Sequence, residues 1–165
     1  PDAAQPWPWP EPRLRYANAD IPHVLMLAGS LLGKPTWTAD GIRLLEWLVD
    51  IETPNGHISV APVGGWVTGE PRPGYDQQPI EVASLADACA TAFALTAVPR
   101  WLELVQLCAA WFDGSNDARI PMADQTRGAG FDGLHEGSRN GNQGAESTLA
   151  LLTTMQALDR LPVKV

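Results

Sequence analysis

The chain has 165 residues, 45% of them hydrophobic and 18% charged, and its net charge is −8. That balance describes one folded domain with a core and excludes a disordered chain; the acidic field also disfavours nucleic acid and anionic membrane as partners. No apolar run reaches the roughly 20 residues of a bilayer span, and the opening Pro1-Asp2-Ala3-Ala4-Gln5 has neither a leader pattern nor an initiator Met, which reads as a fragment or a processed product.

In chain order, a first helix is predicted over 17–33, where Ile21, Leu25, Ala28 and Leu32 recur at helical spacing before Gly33-Lys34-Pro35. A second covers 36–51, with Leu44, Leu45, Leu48 and Ile51 on one side. A short β element is expected at 57–60. The third helix opens at Gln78-Pro79, where Pro suits a first helical turn, and runs to 96. A fourth, over 100–113, carries Trp101, Leu104, Val105, Cys108, Trp111 and Phe112 as an apolar stripe. The last occupies 143–158. Cys89 and Cys108 fall in apolar helical stretches and read as core thiols of a reducing, cytoplasmic compartment. They leave no Cys-built metal site, and nothing in the chain calls for a cofactor.

The helical blocks repeat. At an offset of 64, Pro35 matches Pro99, Trp37 matches Trp101, Trp47 matches Trp111, Ala28 matches Ala92 and Leu31 matches Leu95. Glu81 and Glu146 recur at an offset of 65. This is a repeat of helical hairpins, about two and a half units long. Turns within a hairpin are short, whereas connections between hairpins reach roughly 25 to 30 residues, beyond the usual structureless loop. Short-long-short alternation places every long loop at one end of the helices. The Ala-rich stretch 83–94 suits a helix packed on all sides, and 100–113 suits an outer partner. An all-α fold follows, an (α/α) toroid of hairpins within the single domain 1–165.

The loop end collects the polar residues. The first segment offers Trp7, Trp9, Glu11, Tyr16 and Asn18; the second His57, Trp66, Arg72, Tyr75, Asp76, Gln77, Gln78 and Glu81. The third offers Asp117, Asp132, His135, Arg139, Asn140, Asn142, Gln143 and Glu146. Rings that stack on a sugar face, set among carboxylates and amides that take its hydroxyls, suit a carbohydrate. Glycoside hydrolysis needs one carboxyl group as acid and another as base or nucleophile, and Asp76, Glu81, Asp132 and Glu146 form the pool. Asp132 and Glu81 are the favoured pair. First-turn Glu81 and Glu146 equally suit free helix N–H groups, and Asp76 and Asp132 suit turns. Trp47, Trp101 and Trp111 read as core. Trp9 and Trp66, in loops, read as stacking platforms.

Taken together, Trp7-x-Trp9-x-Glu11-x-x-Leu14-x-Tyr16-x-Asn18, Gly56-His57-Ile58-Ser59-Val60, Tyr75-Asp76-Gln77-Gln78-Pro79-Ile80-Glu81, Gly130-Phe131-Asp132-Gly133-Leu134 and Asn142-Gln143-Gly144-Ala145-Glu146-Ser147-Thr148 resemble one bacterial family. It is the six-hairpin, glycosidase-like domain found fused to, or encoded beside, glycosyltransferases. The resemblance covers nearly the whole chain and implies an (α/α)6 toroid with a carbohydrate-related role. Pro10, Pro12 and Ala17 depart from the family's less Pro-rich opening. A full toroid needs about twelve helices, so the chain would be its C-terminal half, with a dimer or the missing N-terminal hairpins covering the open edge. Three functions stay open: a glycoside hydrolase-like enzyme, a non-catalytic glycan-binding or scaffolding module working with a glycosyltransferase, and a sugar epimerase using His57 or His135.

Overall fold

Five helices make up about half of the chain in the computed structural model, which describes residues 7–72 and 74–160. The opening residues 1–5 lie outside that range. In order come α1 (Asp20–Leu31), α2 (Pro35–Glu52), α3 (Pro79–Thr96), α4 (Pro99–Phe112) and α5 (Ala145–Asp159). Pro35, Pro79 and Pro99 each take the first helical position, where the missing N–H has no intrahelical partner to lose. The repeat-related Pro35 and Pro99 therefore do the same structural job. Gly33 ends the α1–α2 turn with φ +63°, and Ala97 closes α3 with φ +56°, its N–H donating to Phe93 O at 2.7 Å.

α1 packs on α2 and α3 on α4, as antiparallel hairpins with tight turns must. α3 also packs on α1 and α5, and α4 on α5, so α3 is central. Its side chains are buried all round, from Glu81 and Val82 through Leu85, Ala88 and Cys89 to Ala92. Among the described residues α3 is the one helix long and apolar enough to cross a membrane, and it lies within the core. α1 and α2 come very close: a Cβ on Gly41 would meet Pro22 O at 2.8 Å and Met26 Cγ at 2.8 Å. Trp101 and Trp111 are buried, while Trp47 is half-buried beneath Trp9, stacked at 5.6 Å, and Trp7, edge-on at 5.1 Å.

The expected β element at 57–60 is not a strand. Ser59 N–H returns to Glu52 O at 2.8 Å, which folds the segment onto the end of α2 and buries Ile58 and Val60. Strand pairing falls later. β1 (Ala123–Asp124) pairs with β2 (Ala129–Gly130), and β3 (Leu134–His135) with β4 (Ser138–Arg139), both antiparallel. Single bridges join Leu14 to Trp66, Pro62 to Gln77 and Gln77 to Leu134, so the three long segments are stitched together.

Candidate functional site

The site is built around the starts of α1, α3 and α5. Tyr16, Ala17 and Asn18 run across them immediately before α1. Ala17 N–H donates to Glu81 Oε1, and Glu81 Oε2 accepts from Asn18 N–H at 3.1 Å and Asn18 Nδ2 at 2.8 Å. Tyr16 Oη donates to Glu146 Oε2 at 2.8 Å, which ties the same segment to the first turn of α5. Asn18 Oδ1 takes Arg15 N–H at 2.8 Å and holds the bend in shape. Thus two first-turn Glu residues from successive repeats meet one tripeptide.

Their environments differ. Glu81 is 4% exposed, and burial pushes its carboxyl up to about 7 against the pull of the Asn18 and Ala17 donors. Glu146 faces solvent, and its partner Tyr16 is 58% exposed. The hydrogen bond to Glu146, with lesser help from desolvation, raises the Tyr16 phenol above its ordinary value.

Asp132 sits at the start of α5. Its Oδ1 accepts from Gly144 N–H at 2.7 Å and Ser147 Oγ at 2.8 Å, and its Oδ2 accepts from Asn142 Nδ2. These donors, Asn142 foremost, hold its carboxyl below the usual range. An ionised, fully occupied Asp132 is a poor proton donor and a good end-piece for α5. The flanking glycines admit protein: a Cβ on Gly130 would run into the backbone of Ser147, and one on Gly133 into the Asp76 carboxyl.

Asp76 Oδ2 lies 3.1 Å from His135 Nε2, both partly exposed, while Asp76 Oδ1 is buried without a partner among the described residues. Gln77 is fully buried; its backbone exchanges hydrogen bonds with Leu134, and its Nε2 reaches Asp117 Oδ2 at 2.6 Å. Asp117 also accepts from Ser59 Oγ at 2.6 Å and bonds His57 Nε2 at 2.8 Å. Tyr75, half-buried nearby, has its phenol raised by burial first and the Asp117 charge second. Behind this layer lies Glu52, whose Oε1 accepts Ala61 N–H at 3.0 Å; burial pushes its carboxyl up to about 8. Arg72 donates to Ile51 O at 2.8 Å and Ser59 O at 3.2 Å, and its guanidinium lies 4.2 Å over the Trp66 ring.

The remaining sequence candidates scatter. Trp9 and Trp66 are buried, because Trp47 and Arg72 cover their rings; neither offers an open stacking face. Glu11 is exposed and contributes its carbonyl to Trp7 Nε1 at 2.7 Å. Gln78 precedes α3 without capping it through its side chain. Gln143 Nε2 donates to Asp124 Oδ2 at 3.0 Å. Sequence reasoning missed Glu52 as a buried acid, since on an amphipathic helix a lone Glu reads as solvent-facing. It also missed Arg119, which lines a cavity of about 520 Å³ with Asn55, His57, Ser115 and Asp117. A second cavity, of about 500 Å³, lies between α1, α3 and α5, where Thr91 Oγ1 meets His23 Nε2 at 2.9 Å beside Asp87. Among the described residues no group of three or more His, Cys, Asp or Glu is placed to hold a metal.

No protein-family model matches the chain, and no curated protein matches it.

Proposed function

We propose that this chain is a carbohydrate-active domain of the six-hairpin, glycosidase-like kind, part of an (α/α) toroid, which engages a glycan at the loop end of its helices. The observation that carries the reading is the meeting of Tyr16-Ala17-Asn18 with Glu81 and Glu146. It gathers the starts of α1, α3 and α5 into one polar face, with Asp132 and Asp76 on its flank. Within that face the four carboxyl groups divide the work. Glu81 and Asp132, whose oxygens are filled by protein donors, hold the frame. Glu146 with Tyr16 and Asp76 with His135 are open to a ligand and supply the acid and base that glycosidic cleavage requires. The exposed apolar side chains Val24, Leu27 and Leu31 on α1, and Leu149 and Leu152 on α5, suit the two ends of an incomplete helical row. Further hairpins or a second copy of the chain would cover them.

A glycan panel with product analysis tests the reading on wild type and on Asp76→Asn, Glu81→Gln, Asp132→Asn and Glu146→Gln. Turnover that collapses in Asp76→Asn or Glu146→Gln supports catalysis; undiminished turnover in all four variants sinks it. The occupied state of Asp132 and Glu81 favours a second reading, a binding or scaffolding module beside a glycosyltransferase. Saturable glycan binding without any product would establish it.

A further inference from the structure

We infer that the cavity between the ends of α2 and α4, lined by Asn55, His57, Ser115 and Arg119, is a subsite for the oxyanion of an acidic sugar, either a carboxylate or a phosphate. The sugar part of this assignment rests on the glycan reading above; the oxyanion part rests on the cavity itself. Its volume of about 520 Å³ is enough for a small polar ligand.

Three charged or titratable side chains line it, and they do not face it equally. The Asp117 side chain is 3% exposed, and its oxygens are taken by His57 Nε2, Ser59 Oγ and Gln77 Nε2 at 2.6–2.8 Å. With three donors converging on it, its acceptor capacity is directed into the protein. Arg119 is the opposite case: it is exposed and has no acidic partner among the described residues. Its backbone is held at φ +57°, a left-handed conformation uncommon for a residue with a side chain. In a chain of net charge −8, a cavity that turns a free guanidinium outward and a carboxyl group inward is locally inverted.

His57 suits the hydroxyls of the ligand and not its oxyanion, because a neutral imidazole that donates through Nε2 presents Nδ1 as an acceptor. Its Nε2 is committed to Asp117, which fixes the ring's orientation and leaves Nδ1 without a partner among the described residues. Asn55 and Ser115 add amide and hydroxyl groups suited to the rest of a sugar. A planar guanidinium beside amide, hydroxyl and imidazole groups matches an oxyanion flanked by hydroxyls.

The test follows the His57 imidazole resonances by NMR at constant ionic strength, titrating with inorganic phosphate, glucuronate, glucose 6-phosphate and glucose. The expected result is a saturable shift with at least one anion, weakened at least tenfold in Arg119→Gln and unchanged in Arg127→Gln, with glucose giving none. Absence of a saturable shift with every anion, or equal affinity in Arg119→Gln, overturns the assignment. Glucose binding as well as the anions also overturns it while leaving the glycan reading intact. If the glycan panel is blank yet phosphate still shifts His57 in an Arg119-dependent way, the glycan reading fails and the oxyanion subsite stands.

Discussion

Glu81 and Glu146 each lie in the first turn of a helix, yet one is a buried strut and the other a solvent-facing group. Replacing Glu81 with Gln sets an amide donor against the N–H groups of Ala17 and Asn18, which leaves a buried donor facing donors. The expected loss is about 1–3 kcal/mol in urea unfolding, from the cost of an unsatisfied buried polar group. Glu146→Gln keeps an acceptor for Tyr16 in an exposed place, and its unfolding midpoint is expected to stay at the wild-type value. Glu52 gives a separate, pH-dependent signature. Its carboxyl is raised from 4.5 to about 8 in the folded chain, so between those values the folded state holds a proton that the unfolded state has released. Stability contributed by Glu52 is therefore full at low pH, declines as pH rises through that window, and levels off above it. Glu81, raised to about 7, acts in the same direction. Urea midpoints measured across this range are expected to fall less steeply in Glu52→Gln than in wild type. Neither burial is legible from residue type: Glu52 and Glu46 both sit on α2, and only tertiary packing puts one of them inside.

At the scale of elements, the helices were legible because the chemistry that starts and ends them is local. Pro35, Pro79 and Pro99 mark three starts, and Gly33 marks one turn. The predicted start of α1 at 17 precedes the observed Asp20 because Ala17, helical in composition, takes φ +46°, a left-handed conformation outside the helix. The loops were not legible. Arg13 pairs with Glu70 at 2.6 Å, and Leu14 exchanges backbone hydrogen bonds with Trp66. Such pairings join residues about fifty positions apart and leave no periodic trace, so Trp9 and Trp66 look open in the sequence and are covered in the fold. The two-residue strands are too short for alternation to register. Two substitutions probe the packing of elements. Gly41→Ala drives a methyl into Pro22 O and Met26, and a loss of about 1–3 kcal/mol in chemical denaturation is expected from overpacking. Asp132→Ala removes the acceptor for Gly144 N–H and Ser147 Oγ, with an expected cost of about 1 kcal/mol, and amide exchange should quicken in the first turn of α5 before the rest of the helix.

At the scale of the whole molecule, the two Trp-bearing repeats are not equivalent. Trp37 is 43% exposed whereas its counterpart Trp101 is 2% exposed, because α4 is packed by both α3 and α5 while α2 leans mainly on α1. α1 and α5 likewise present apolar side chains outward at opposite ends of the helical row. If the proposed edge contacts form between copies, sedimentation will show association that grows with concentration and is abolished by Leu27→Glu together with Leu149→Glu. A concentration-independent monomer in wild type would remove that proposal. The tripeptide Tyr16-Ala17-Asn18 has a consequence for how the chain is made. It emerges from the ribosome first among the site's parts, but Tyr16 must wait for Glu146, 130 residues later, before its hydroxyl is engaged. Closing so long a loop is a late event in folding. The chain leading into α1 is therefore fastened in two stages, first at Ala17 and Asn18 by Glu81 of α3 and last at Tyr16 by Glu146, and a truncated product lacking α5 loses only the second fastening.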